Sequence, residues 1–485
     1  MALNLHTPDI ARLDFLCERV RPQALSAPQL ALVSDTLAVE MGIDPDTLRQ
    51  ADTVRQLAGS AGHYDPAPIA TVYSGHQFGV YVPQLGDGRT MLLGDWRSAD
   101  GRRWEIQLKG SGKTPFSRFA DGRAVLRSSL REYLASEAMH ALGIPTTRAL
   151  ALTASPDPVY REQPETAAVV TRVAESFLRF GHFEYFYRRS QHEYLAPLAD
   201  HVIAHHYPEC AAAERPYAAL FAAVSARTAR LMAQWQSVGF CHGVMNTDNM
   251  SLLGLTIDYG PYGFLDCYDR AHICNHSDHG GRYAYQEQPY IAQWNLLQLA
   301  SAFLPLAEEG ELVTILNNYG SHYRQAYLDL MRAKLGLHSA QDGDLTLISE
   351  LFDLMQAQQA DFTLTFRALA DVDAHSDRLP ESLAARFAED IGGIHAWCSR
   401  YRARLQAEQS HQSERHTQMK QTNPLYVPRN HLLEAAIAAA QNGDFSVAER
   451  LQTCLRDPFT ERAEYADLAA AAPAWAKEIC VSCSS

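Results

Sequence analysis

GFCHGVMNTDNMSLLGLTIDYGPYGFLD, residues 239–266, sets a His-Gly pair at His242 and Gly243 and an Asp-Asn pair at Asp248 and Asn249. An apolar run of strand type then ends in Asp258-Tyr259-Gly260. In isolation Asp and Asn are turn formers. In this order they form a set of hard oxygen donors, a carboxylate and an amide. Such donors suit magnesium, which keeps several of its waters and bridges nucleotide phosphates.

Working outward, ALFAAVSARTARLMAQWQSV just upstream carries its apolar residues at helical spacing. Before it, from about Pro68 to Val173, short apolar and β-branched runs alternate with glycines: PIATVYSGHQFGVYVPQLGDGRTMLLGDW, WEIQLKG, ALALTAS and AAVVTRVA. One helix interrupts them, AVLRSSLREYLASEAMHAL, with Leu126, Leu130, Tyr133, Leu134 and Leu142 on its apolar side and Gly143 and Pro145 as its stop. In QLGDGRTMLLG a glycine turn lets backbone N–H groups approach phosphate, and about twenty residues on, WEIQLKG delivers Lys109 as a strand-borne cation. Glycine loop, strand lysine, helix, His-Gly loop and Asp-Tyr-Gly follow one another in the order of a protein kinase. The expected fold is therefore α+β, a bilobal protein kinase-like architecture with a sheet-rich N-lobe and a helical C-lobe. Residues 1–67 read as an N-terminal extension, 68–173 as the N-lobe, 174–405 as the C-lobe and 406–485 as a helical extension with a cysteine-containing tail. QWNLLQLASAF and SELFDLMQAQQADF read as C-lobe helices. AEQSHQSERHTQMK, followed by Asn423, Pro424 and Pro428, reads as a loop before one further helix, HLLEAAIAAAQNG.

Three details refine the chemistry. GSGKT at Gly110–Thr114 imitates a phosphate-binding P-loop, but Gln107 stands where its first glycine is required and Pro115 blocks an immediate helix, so Lys113 reads as a solvated turn residue. A strand lysine needs a glutamate on the next helix to aim it. Glu132 and Glu137 both qualify, yet five residues put them about 140° apart, so both cannot face one lysine, and spacing does not choose between them. Finally, a protein kinase carries its catalytic aspartate directly after the His-Arg pair, whereas here Val244 follows His242-Gly243. Ordinary γ-phosphoryl transfer is thereby disfavoured, and the acid that remains is Asp248.

GHQFG, QLGDGR, LKGSGKTPFSRFADGRAVLRSSLREYLASEAMHALGIPTTRAL, HGVMNTDNM, TIDYGPYGFLD and CNHSDHGGR together resemble the selenoprotein O (SelO) family, densely over residues 70–300. NPLYVPRNHLLEAAIAAA and the terminal Cys-Ser-Ser extend the likeness to nearly the whole chain. The resemblance implies a pseudokinase fold that binds ATP inverted, presents the α-phosphorus to a Ser, Thr or Tyr hydroxyl of another protein and releases pyrophosphate. It implies nucleotide contacts at Gly86, Gly88, Arg89, Lys109, Asp121, Gly122, Arg172, Arg179 and Asp258. It also implies metal ligands at Asn249 and Asp258 for Mg2+, with Mn2+ as the alternative, a proton acceptor at Asp248, and Glu132 as the lysine's partner. A transferase of UMP from UTP with manganese would use the same residues. A small-molecule kinase of the aminoglycoside type is opposed by Val244. A non-catalytic nucleotide-binding scaffold is opposed by the intact set Lys109, Asp248, Asn249 and Asp258. Related selenoproteins place selenocysteine near the chain end, where Cys483 stands here. That implies a reversible disulfide of Cys483 with Cys274, or with Cys480 as the alternative.

Composition narrows the setting. Forty-two Lys+Arg against 56 Asp+Glu give a formal charge of −14, which disfavours a nucleic-acid scaffold dependent on phosphate neutralisation. The amino terminus lacks an apolar signal core and contains Asp9, Asp14 and Glu18, against a transit peptide. No stretch has the length and apolarity of a membrane span. Nine cysteines over 485 residues do not make a disulfide scaffold, and the expected compartment is the cytoplasm. Cys274, His276 and His279 have the reach of zinc ligands, but no second pair matches them, so a hydrogen-bonded loop is the better reading.

Overall fold

Alternation of side chains along the strands of the N-terminal part builds one antiparallel sheet with two buried faces. The computed structural model describes residues 2–408 and 411–481. The strands are β1 (Cys17–Arg19), β2 (Gln29–Val33), β3 (Ile69–Thr71), β6 (Thr90–Arg97), β7 (Arg103–Lys109), β9 (Arg148–Tyr160) and β10 (Pro164–Ala174), in the order β1-β3-β6-β7-β10-β9-β2. A short β8 (Ala124–Val125) also pairs with β10, while β4 (Gly75–Gln77) and β5 (Val80–Val82) form a separate hairpin. Successive residues of β10 point to opposite faces. Ala168, Val170 and Ala174 join Leu126, Leu130 and Leu134 of α4 (Leu126–Ala141), whereas Val169 and Val173 join Leu37, Leu48 and Leu57. The latter three come from α1 (Asp35–Glu40), α2 (Pro45–Arg49) and α3 (Ala51–Leu57). The first 67 residues thus supply two strands of the sheet and the cover of one of its faces. β1 and β2 are only three and five residues long, too short for their alternation to register.

The rest of the chain is helical: α5 (Phe180–Arg188), α6 (Leu195–His206), α7 (Pro216–Val238), α8 (Gln288–Phe303) and α9 (Glu309–Lys334) share the larger apolar core with α4. A two-stranded ribbon, β11 (Phe240–Cys241) with β12 (Gly263–Phe264), brackets the 239–266 stretch. A second core lies among α10 (Asp344–Gln358), α11 (Phe362–Leu369), α12 (Glu381–Ala384) and α13 (Ile391–Ala407), around Leu351, Phe366 and Trp397. Residues 412–422, read from the sequence as loop, are helix α14 (Gln412–Thr422). Its buried face is Arg415 and Met419, and Arg415 donates to the Val372 carbonyl, so the helical period is carried partly by a charged residue that hydropathy counts as polar. Two helices follow instead of one, α15 (Asn430–Gln441) and α16 (Ser446–Leu455). Both pack on α4, and Gln452 donates to Tyr133 Oη at 2.8 Å and to the Val33 carbonyl at 3.0 Å. No helix among the described residues is long and apolar enough to cross a membrane.

One buried cation is a stability liability. Lys334 is 4% exposed, its Nζ lies 4.3 Å from the centre of the Phe366 ring, and burial lowers its pKa to about 7. The folded value lies below the unfolded value of 10.5, so the penalty is full below pH 7 and fades as pH rises towards 10.5. Lys334→Met is expected to raise the melting temperature by several degrees at pH 6–7, with the gain shrinking at pH 9–10. Scanning calorimetry of both proteins across that range measures it.

Candidate functional site

Lys109 ends β7 between Thr90 of β6 and Val170 of β10. Two residues earlier Gln107 points to the same face, and its cross-strand partner Arg172 does too, which places three polar side chains under α4. There α4 presents Glu132. Lys109 Nζ lies 2.6 Å from Glu132 Oε2, Arg172 Nη1 lies 3.2 Å from Glu132 Oε1, and Arg172 Nε donates to Gln107 Oε1 at 3.1 Å. Glu137 turns the other way, to Arg148 Nε at 2.8 Å and Ser34 Oγ at 2.7 Å, where it ties α4 to β9 and to the start of α1. The roughly 140° between the two glutamates is thus used for two different jobs.

All three cations converge on Asp258. Arg172 Nη1 is 2.5 Å and Lys109 Nζ 3.3 Å from Asp258 Oδ1, and Arg179 Nη1 bonds Oδ2 while also donating to the Asp248 carbonyl at 2.9 Å. Burial alone would raise the Asp258 pKa, but Arg179, Arg172 and Lys109 outweigh it and hold the carboxylate well below its usual range. Asp258 sits at φ +60°, a left-handed backbone that aspartate tolerates better than most residues. The Lys109 pKa is lowered by burial, against the opposing pull of Glu132 and Asp258.

A cleft of about 810 Å³ opens in front of this cluster. Gly86, Gly88, Arg89 and Lys109 line it from the sheet, Asp121 and Gly122 from the loop after β7, and Arg179, Asp248, Asn249 and Asp258 from the helical side. Arg172 and Glu132, 1% and 2% exposed, stand one layer behind. The glycine loop is rigid: Asp87 accepts from Thr71 N at 2.8 Å and from Thr90 Oγ1 at 2.9 Å. Gly86 has φ +125°, and a Cβ there would stand 2.6 Å from the Phe116 ring. Asp121 is held in a fork by Arg161, at 2.8 and 3.0 Å, and these bonds lower its pKa. Lys113 is exposed.

On the opposite wall, His242 Nε2 bonds the Ile257 carbonyl at 2.9 Å and its ring stacks on Trp235, which pins the His-Gly loop to the strand-like run before Asp258. Asn249 Nδ2 donates to the Val244 carbonyl at 2.9 Å, leaving the amide oxygen as the group available to a cation. Asp248 is 7% exposed. Burial raises its pKa to about 7, Oδ1 has no hydrogen-bond partner among the described residues, and Oδ2 accepts from Gln77 Nε2 at 3.3 Å. Backbone covers it closely, since a Cβ on Gly75 would stand 2.4 Å from Asp248 Oδ1. Sequence reasoning missed Gln77, Gln107 and Arg161. Glutamine and arginine on a hairpin, a strand and a turn carry no spacing signal, because their roles depend on partners between 40 and 171 positions away.

Cys274 is buried, and its Sγ donates to the Cys241 carbonyl at 3.4 Å. The tail lies against this loop, with His276 N donating to the Val481 carbonyl at 2.9 Å, and Cys480 is exposed. Cys483 lies outside the described residues. Among those described, no group of three or more His, Cys, Asp or Glu side chains is placed to hold a metal ion. The donor set of Asn249 and Asp258, two hard oxygens with space for phosphate oxygens and water, fits magnesium rather than a soft metal.

Comparison with known proteins agrees over almost the full length. The family described as Protein adenylyltransferase SelO matches residues 4–456. A protein of Burkholderia multivorans named Protein nucleotidyltransferase YdiU is 50% identical over 507 residues, covering 100% of this chain and 97% of that protein. Its namesake in Burkholderia thailandensis is 51% identical over 486 residues, covering 95% and 92%.

Proposed function

This chain belongs to the SelO family of protein adenylyltransferases, and on that premise we propose that it moves AMP from ATP to Ser, Thr or Tyr hydroxyls of other proteins through the cleft between Lys109 and Asp258. That it is a protein nucleotidyltransferase follows from the family and from relatives at half identity. In this proposal the sheet and the helices are the N- and C-lobes of a kinase-like pair, with residues 406–485 as an extension.

The observation that carries the reading is the convergence of Lys109, Arg172 and Arg179 on one carboxylate at the floor of the cleft. Three buried cations around Asp258, two of them also paired with Glu132, form a site short of negative charge, and a triphosphate supplies it. The glycine loop, Arg89 and Lys109 bind the phosphates together with Asp121 and Gly122, which line the same cleft. Asn249 and Asp258 would hold magnesium, which would offset the negative charge of the phosphates. Asp248 takes the proton of the acceptor hydroxyl. That oxygen bonds to the α-phosphorus, the bond from the α-phosphorus to its bridging oxygen breaks, and pyrophosphate leaves with its charge met by Lys109, Arg172 and Arg179. The tail contact at His276 is compatible with a reversible disulfide from Cys274 to Cys483, or from Cys483 to Cys480. Mass mapping that finds only free thiols after oxidising treatment would end that idea.

Purified protein incubated with magnesium and α-labelled ATP is expected to place label on protein, with an adduct of the mass of AMP less water. Label arriving from γ-labelled ATP instead would overturn the reading in favour of a kinase, and a parallel reaction with α-labelled UTP compares the bases. Glu132 touches Lys109 and Arg172 rather than the cleft, so Glu132→Gln is expected to cost about ten- to a hundredfold in kcat, less than loss of a residue facing the phosphates. Steady-state transfer by Glu132→Gln and Lys109→Ala, measured side by side, checks that order.

A further inference from the structure

The hairpin β4–β5 is stapled across the loop that carries Asp248: His76 N donates to Thr247 Oγ1 at 2.7 Å, and Phe78 N donates to Tyr283 Oη at 2.9 Å. Its outer side is apolar and wet, with Phe78 40% and Val80 69% exposed. On α8, Tyr290 is 70% and Leu297 48% exposed, and with Trp294 they share one helix face at spacings of four and three. The Trp294 ring lies 5.3 Å from that of His76, which is 6% exposed, so the stripe on α8 abuts the hairpin. Exposed apolar side chains grouped in this way mark an interaction site more often than a solvated face.

Arginines frame it. Arg282 lies 4.6 Å over the Trp294 ring with its Nε unpartnered among the described residues, Arg188 lies 5.3 Å over Tyr81, and Arg189 reaches the Pro83 carbonyl at 3.5 Å. Among the described residues no carboxylate pairs with any of the three. Glu184 is taken by His76 Nδ1 at 2.6 Å, and Asp278 by the backbone N–H groups of Arg282 and Tyr283 at 3.0 and 2.7 Å. On a chain of formal charge −14, arginines without carboxylate partners beside the site form a local positive frame against the overall charge.

We propose that this face, the β4–β5 hairpin with the exposed stripe of α8, is the docking surface for the acceptor protein, and that it takes an acidic segment bearing an apolar side chain near the hydroxyl to be modified. The inference rests on the reading that the chain modifies protein hydroxyls. The hairpin gives the route: Gln77 and Phe78 line the cleft together with Asp248, and Gln77 donates to that carboxylate, so a segment lying along the hairpin brings its hydroxyl to the base. The apolar side chain packs on Phe78 and Trp294, and the acidic groups meet Arg188, Arg189 and Arg282. A basic segment is rejected by the same arginines. Nucleic acid is disfavoured by the overall negative charge.

The test uses the full chain, α-labelled ATP with magnesium, and two synthetic peptides. Each has one serine and one leucine, flanked by aspartates in one peptide and by lysines in the other. The wild type is expected to label the acidic peptide with a kcat/KM at least about tenfold higher, an advantage that shrinks with added salt. In Arg188→Glu/Arg282→Glu the preference reverses while the KM for ATP is unchanged. Equal labelling of both peptides, a preference that survives charge reversal, or binding of a single-stranded oligonucleotide that competes with the acidic peptide would overturn the proposal. So would sedimentation showing that the face is buried between two copies of the chain. Label on the enzyme or other proteins without charge preference defeats the docking surface alone; no α-label on any protein defeats the underlying reading as well.

Discussion

Asp258→Ala is expected to transfer AMP at less than about one-thousandth of the wild-type rate, because it removes a proposed metal ligand and the anion around which the phosphate-binding cations are arranged. The same substitution has a second signature. Lys109 and Arg172 are left with Glu132, and Arg179 keeps only the Asp248 carbonyl; breaking buried pairs of this kind costs about 3–5 kcal/mol. The free variant should therefore melt well below the wild type, and ATP should restore more of that loss than it adds to the wild type, since a triphosphate returns the missing negative charge. Calorimetry with and without ATP reads this directly. A variant that retains transfer within about tenfold of wild type, or whose melting point is unchanged, removes Asp258 from the role assigned to it.

Asp248→Asn isolates the proton transfer. Nearly isosteric and uncharged, it should lower kcat by about 10²–10⁴-fold while leaving ATP affinity within a few-fold, the pattern of a lost general base. In the free wild type, burial places the Asp248 pKa at about 7, so transfer should rise as pH passes from 6 to 8 and level off once the carboxylate is ionised. The residual activity of Asp248→Asn should lack that rise. Stability moves the other way. The folded pKa lies above the unfolded 3.8, so this group makes the wild type lose stability as pH rises from about 4 to 7. Asp248→Asn escapes that loss, and its advantage in melting temperature is largest above pH 7. A variant that is as active as wild type, or one that is slow only because ATP no longer binds, would contradict the assignment.

Local patterns were legible where a residue's own neighbours settle its state. The strand runs ending in Lys109 and Ala174, the helix carrying Glu132, and the Asp248–Asn249 and Asp258 pairs are written in short-range periodicity and spacing, and the long motifs carried the family resemblance. Residues 412–422 escaped because Arg415 and Met419 form the buried face of α14, and a buried arginine leaves no trace in hydropathy. The strands at 17–19 and 29–33 escaped because edge strands of three to five residues are fixed by pairing with distant partners, Thr71 and Ala151 among them.

The amino-acid sequence by itself determined the family, the order of the chemical groups and the two candidate glutamates for Lys109, between which spacing could not choose. Tertiary structure decided that Glu132 meets Lys109 while Glu137 ties α4 to β9, that three cations share Asp258, and that Gln77 and the backbone of Gly75 cover Asp248. The reason is physical. Strand and helix periods are set within a few residues by backbone geometry, whereas the ionisation and aim of a buried charge depend on dehydration and on partners brought together only when sheet and helices close on each other.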